Sequence, residues 1–141
     1  VDIIEYDELF NVINILKPNF VIHLAAITHI QHQNIQEIYQ TNIIGTYNLL
    51  KSIFKIDFNV QSILLISSAN IYGNSYKGKI TENFNPKPVN DYAVSKLAME
   101  KMAELWFDKL PINIVRPFNY TGVGQSIDFI IPTSPLKTTF W

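Results

Sequence analysis

Cysteine is absent from all 141 residues. That excludes disulfide frameworks and thiol-ligated metal sites. Histidine is scarce: His23, His29 and His32 are the full set, and they have no zinc-site partners, so no metal is expected. Net charge is −1, with lysine and arginine scattered along the chain, so nothing points to nucleic acid or an anionic membrane. The opening "VDIIEYDELF" carries acids where a signal peptide needs bases. No apolar run approaches the roughly 20 residues that span a bilayer. The expected location is cytoplasmic. The chain starts on Val1 rather than Met, and its last stretch, "TSPLKTTFW", has neither helical nor strand periodicity. Both features fit a piece of a longer protein.

What is present reads as a globular α/β unit: 48% of residues are apolar. "YDELFNVINILK" sets Leu9, Val12, Ile13 and Leu16 at helical spacing, and Pro18 stops it. "FVIHLAAI", residues 20 to 27, predicts a buried strand. Residues 33 to 56 predict a helix with Ile38, Ile43, Tyr47, Leu50, Ile53 and Phe54 on a broad apolar face. "SILLIS", 62 to 67, is a second strand. A loop rich in Gly, Asn, Lys and Pro follows from Gly73 to Asn90. Residues 91 to 109 predict an amphipathic helix, and "INIVRP", 112 to 117, a third strand that Pro117 ends. Apolar strands alternating with helices predict a parallel sheet with helices on both faces.

Ligands of such sheets bind beyond the carboxyl ends of the strands. "AAITHI", "SSANIYG" and "FNYTG" stand there, next to the start of the helix at 91. Tyr92 and Lys96 are i, i+4 neighbours, so they share a helix face. A phenol is a poor base at neutral pH, but a nearby ammonium stabilises its phenolate. Such a pair can move a proton at a carbonyl or alcohol oxygen. Ser67 and Ser68 close the second strand, and either could offer a hydroxyl to the same oxygen. Chance pairing is the competing reading for Tyr92 and Lys96, and packing is the competing reading for Tyr72 and Tyr120. His23 alternates with strand residues and reads as a satisfied core histidine; His29 and His32 read as loop residues. Asn42 reads as a structural helical asparagine, and Gly45 as a site of close helix packing.

The segments together resemble an extended short-chain dehydrogenase/reductase, the NAD-dependent epimerase/dehydratase family. "PNFVIHLAA", "TNIIGTYNLL", "SSANIYG", "YAVSK" and "IVRPFNYTGVGQ" follow the family's order over about residues 1 to 132. The resemblance implies an incomplete Rossmann-type doubly wound sheet over 1–132 that binds NAD or NADP, then an irregular tail over 133–141. It implies Ser68, Tyr92 and Lys96 as the catalytic set, with Ser68 chosen over Ser67 by alignment on Tyr72-Gly73. It implies cofactor contacts from Asp2, Ala25, Ala26, Tyr92, Lys96, Pro117 and Phe118, and substrate contacts from Asn70 and Asn119.

Dehydratases of the group place an acid after the catalytic hydroxyl, where this chain has Ala69 and Asn70. "RPFNYTGVGQ" resembles the reductases of GDP-4-keto-6-deoxymannose. The implied function is reduction of a nucleotide-linked 4-keto-6-deoxy sugar, GDP-linked in preference, with NADPH the favoured cofactor. The alternatives are a 4-epimerase and a non-catalytic remnant. The five glycines form no Gly-x-x-Gly-x-x-Gly loop between a first strand and its helix. The first βαβ unit and the C-terminal substrate domain are therefore expected to be missing. The remaining sheet is expected to show an unpaired apolar edge. The helices at 33 to 56 and 91 to 109 resemble those that form a four-helix homodimer interface in the family.

Overall fold

Local sequence sets each helix boundary. Lys17 ends the first helix in the left-handed conformation, its N–H bonded to the Ile13 carbonyl at 2.8 Å, and Pro18 forbids continuation. Asn34 starts the second by accepting the Glu37 N–H while its own amide donates to the Glu37 carboxylate. Asn90 starts the last by accepting the Ala93 N–H at 2.8 Å. The structure, a computed structural model, describes residues 1–28, 34–74 and 78–119.

The elements run α1 (Tyr6–Leu16), β1 (Phe20–His23), α2 (Ile35–Tyr39), a π-helical segment (Gln40–Gly45), α3 (Thr46–Ile56), β2 (Ser62–Ile66), a 3-10 turn (Ala69–Tyr72), α4 (Asp91–Glu104) and β3 (Ile112–Val115). The expected order is therefore present, and the strands pair in parallel as β1-β2-β3. The register sets Val21 beside Ile63 and Ile63 beside Ile112. Among the described residues no helix is long and apolar enough to cross a membrane.

The core lies on one sheet face. Leu9 and Ile13 of α1, Leu49, Leu50 and Ile53 of α3, and Met99 and Ala103 of α4 close over Ile63 and Leu65. Each large aliphatic side chain there contributes roughly 1.5–3 kcal/mol by leaving water. The expectation of helices on both faces is met on this face only, among the described residues. On the other, Phe20, Ile22 and the following Leu24 are 64%, 65% and 66% exposed. Alternation along a strand sends these three to the side opposite Val21 and His23. The apolar surface expected at an unpaired edge is thus a face of β1.

Other boundaries differ from the sequence reading. The first strand stops at His23 rather than 27, because only 20 to 23 have ladder partners on β2. The long helix at 33 to 56 is interrupted by the π segment. Its apolar residues also divide: Ile38, Leu50 and Ile53 are buried, whereas Tyr47 and Phe54 face outward and meet the Trp106 ring edge-on. α4 ends at Glu104, and residues 105 to 109 are turns, which leaves Leu105 exposed. The third strand stops at Val115 rather than at Pro117. Pro117 lacks only a donor, and its carbonyl accepts the Ala69 N–H at 2.9 Å.

Gly45 permits a close approach, by Ile3 of the turn before α1 rather than by a second helix: an added Cβ would stand 2.4 Å from Ile3 Cδ1. The expectations for His29, His32, Tyr120 and the tail at 133–141 fall outside the described residues.

Candidate active site

The end of β2 meets α4 at Lys96, and the residue after β3 meets it at Glu100. Lys96 is the anchor. It is only 4% exposed, and its Nζ donates to the Ile66 carbonyl at 2.8 Å. Ile66 is the last residue of β2, two before Ser68. The bond therefore fixes α4 against the strand that delivers the serines. Burial pulls the Lys96 ammonium down to about 8, while the Glu100 charge pulls it up. Tyr92, also buried, stands one turn earlier on the same helix face.

Ser68 sits at the head of the 3-10 turn, where its Oγ accepts the Asn70 N–H at 3.1 Å. Its hydroxyl proton is not used in that bond. Ser67 is 2% exposed, and its Oγ is buried without a hydrogen-bond partner. Both serines are buried, and they differ in bonding: Ser68 caps the turn, whereas the Ser67 hydroxyl has no partner.

A polar layer lies under this helix. Asn42, carried by the π segment, accepts the Ile27 N–H at 2.8 Å and donates to the Ile27 carbonyl at 3.0 Å and the Ser95 hydroxyl at 2.9 Å. Ser95 in turn donates to the Tyr92 carbonyl at 2.7 Å. Asn42 thereby ties the loop after β1 to α4, as its structural reading expects. A π turn carries one extra residue and shifts the helix face, a geometry common at functional sites. Thr46 donates to the Asn42 carbonyl at 2.9 Å and meets His23 Nε2 at 2.8 Å. Burial first, then the Lys96 charge, lowers His23 to about 4, so its ring is neutral at physiological pH. His23 is the satisfied core histidine that its position implied.

The remaining candidates divide by position. Ala25 is exposed and Ala26 half-buried at the end of β1; Pro117 is half-buried, and Phe118 and Asn119 are exposed beyond β3. Asn70 is half-buried on the 3-10 turn. Asp2 stands apart from this group in its contacts. Its side chain accepts the Ile4 N–H and its carbonyl the Glu5 N–H, forming the turn that leads into α1.

Sequence reading missed one cluster. Arg116 donates from Nε and Nη2 to the two oxygens of Glu100, at 2.9 and 2.7 Å, and from Nη1 to the Tyr72 hydroxyl at 2.7 Å. Glu100 is 1% exposed. Its carboxylate raises the Arg116 guanidinium above its usual value. Tyr72, read from sequence as a rim aromatic, is buried in this cluster. The available signal was Glu100 at i+4 from Lys96. Beside the cluster lies an open depression of about 490 Å³, lined by Thr81, Glu82, Arg116 and Phe118 among others. Tyr92 and Lys96 are not among its lining residues.

Comparison with known proteins adds the following. The family model for GDP-mannose 4,6 dehydratase matches residues 1–138. The chain is 41% identical over 116 residues to GDP-6-deoxy-D-talose 4-dehydrogenase of Aggregatibacter actinomycetemcomitans, covering 82% of this chain and 40% of that protein. It is 36% identical over 123 residues to GDP-6-deoxy-D-mannose reductase of Pseudomonas aeruginosa, covering 83% and 40%. The structure of RMD from Pseudomonas aeruginosa complexed with NADPH superposes with a TM-score of 0.86 at 35% identity, over 94% of this chain and 47% of that one. The chain thus spans about 40% of the length of these curated relatives.

Proposed function

We propose a function from one premise: the chain belongs to the GDP-mannose 4,6-dehydratase family of nucleotide-sugar enzymes. The function is NAD(P)-dependent reduction of a nucleotide-linked 4-keto-6-deoxy sugar, GDP-linked in preference. The observation that carries it is Lys96, buried and held by the Ile66 carbonyl, which docks the Tyr92 face of α4 on the strand end bearing Ser68. Two relatives named for GDP-6-deoxy sugars support the substrate class, and the NADPH complex of a structural neighbour supports the cofactor. Ala69 and Asn70 stand on the 3-10 turn where a dehydratase of this resemblance needs an acid, which favours reduction over loss of water.

The residues present fit a nicotinamide cofactor at its ribose end. An ammonium carries three donors. One of those on Lys96 is on the Ile66 carbonyl; the others can serve the Tyr92 phenol and a ribose hydroxyl. By the family resemblance, Ala25 and Ala26 would offer small side chains beside it, and Pro117 and Phe118 would border it. When bound, the nicotinamide supplies the hydride.

The protein handles the proton. Tyr92 gives its phenolic proton to the ketone oxygen as that oxygen gains charge. Lys96, protonated below about 8, stabilises the phenolate left behind. Ser68 donates its unused hydroxyl proton to the same oxygen, and Asn70 and Asn119 hold the substrate. Asp2 is assigned to the adenine end by family position alone. The outward-facing Tyr47 and Phe54 of α3, next to Trp106, fit a four-helix homodimer. The work of such an enzyme belongs in the cytoplasm.

The test is NADPH oxidation with a GDP-4-keto-6-deoxy sugar, by a full-length protein that contains this chain and by its Tyr92→Phe variant. The expected result is cofactor consumption, lost at least about 100-fold in Tyr92→Phe with cofactor binding unchanged. Turnover retained in Tyr92→Phe removes Tyr92 from the mechanism. Sugar inversion without net cofactor consumption points to an epimerase instead.

A further inference from the structure

Lys96 has two possible partners on its own helix. Tyr92 precedes it by four residues and Glu100 follows it by four, so both share its face. A buried ammonium prefers a carboxylate to a neutral phenol, and the spacing offers one. Yet the Glu100 carboxylate is turned to Arg116, which takes both of its oxygens at 2.9 and 2.7 Å. Arg116 is itself steadied from the far side by the Tyr72 hydroxyl at 2.7 Å and the Glu82 carbonyl at 3.1 Å. Lys96 donates to the Ile66 carbonyl, at the strand end and not down the helix.

We infer that Arg116 is a positioning residue: by holding the Glu100 carboxylate in its fork, it withholds that carboxylate from Lys96 and leaves the ammonium to serve Tyr92. The inference rests on the reading of Tyr92 and Lys96 as the proton-transfer pair. Its physical basis is geometric. A guanidinium matches a carboxylate with two parallel hydrogen bonds, which an ammonium cannot do. Arg116 immediately precedes Pro117 and Phe118, so the same residue that commits Glu100 also fixes the start of the β3 loop. The titratable groups facing Lys96 are Tyr92 and Glu100 from α4 and His23 from β1, with Arg116, the residue after β3, behind Glu100. His23 is neutral near pH 8, so it does not compete in the range that matters.

The test is the titration of Lys96 in the whole chain, read by NMR of labelled lysine and assigned with Lys96→Met. The unmodified chain should titrate near 8. Arg116→Met frees Glu100 to pair with Lys96 and should raise that midpoint by about one unit. Arg116→Met with Glu100→Gln removes the freed charge and should return the midpoint to the original value or below. Glu100→Gln alone keeps an oxygen for Arg116 and removes a carboxylate already committed to it, so it should lower the midpoint by much less than Arg116→Met raises it; a fall as large as that rise would show the carboxylate already serving Lys96 and would overturn the inference, which decides the matter if Arg116→Met fails to fold. A clamp with a purely mechanical role would lower stability in Arg116→Met and leave Lys96 unmoved, and that outcome overturns the inference. So does a doubly substituted chain, Arg116→Met with Glu100→Gln, whose Lys96 midpoint stays as high as in Arg116→Met. None of these readouts needs turnover. If Tyr92→Phe keeps activity, the proton-transfer reading falls by itself, whatever Lys96 does.

Discussion

Asn42 donates to Ser95 at 2.9 Å across 53 positions of sequence, and the same amide group pairs with both backbone groups of Ile27. Three elements meet in one side chain that is 1% exposed. Asn42→Ala leaves a buried N–H, a carbonyl and a hydroxyl short of partners, at a cost of about 3 kcal/mol. Ser95→Ala keeps the Ile27 bonds and should cost about 1 kcal/mol. Urea denaturation of the two variants checks the order. Equal losses would mean that Asn42 acts through packing, not through its bonds.

Stability should fall as the solution is acidified from pH 6.5 to 4. His23 binds a proton at its ordinary value when unfolded but resists it down to about 4 when folded, chiefly because it is buried. Protons are therefore taken up preferentially by the unfolded chain across that window. The shift corresponds to roughly 3 kcal/mol lost by the lower end. Comparing unfolding free energies across this range should show a shallower slope in His23→Gln, whose amide replaces Nε2 toward Thr46. Parallel slopes would assign the acid sensitivity to other groups.

Gly73→Ala should be far more damaging than Gly45→Ala. Gly73 has φ of +76°, and an added Cβ would meet the Lys87 backbone carbonyl at 2.4 Å. That carbonyl belongs to the residue whose N–H bonds Ile71 at 2.8 Å, so it cannot yield without releasing the loop. The cost is about 2–3 kcal/mol. At Gly45 the obstacle is the end of the Ile3 side chain. It can rotate away, and alanine regains up to about 1 kcal/mol of helix propensity. Thermal melts of both variants should separate by several degrees, with amide exchange at Lys87 accelerated in Gly73→Ala only. Equal melting temperatures would show that the loop after Gly73 moves freely.

Much of the site was readable as a string of letters, for local reasons. Tyr92 and Lys96 share a face because a helix repeats every 3.6 residues. Ser67 and Ser68 lie at a strand end because "SILLI" runs out there. The order of helices and strands followed from apolar periodicity. Each of these is a relation over four residues or fewer, where chain geometry leaves few choices.

Other features needed the fold. Periodicity says that a strand is apolar, not which face a helix covers, so the bare side of Phe20 and Ile22 was not foreseeable. The π segment that presents Asn42 depends on what the widened turn can bond, here Ile27 and Ser95. The pairing of Arg116 with Glu100 joins residues on different elements, 16 positions apart, and that of Asn42 with Ser95 spans 53. Local propensity decides conformations one residue at a time. Which buried charge meets which partner is decided only when whole elements pack, because an unpaired one is too costly to leave inside.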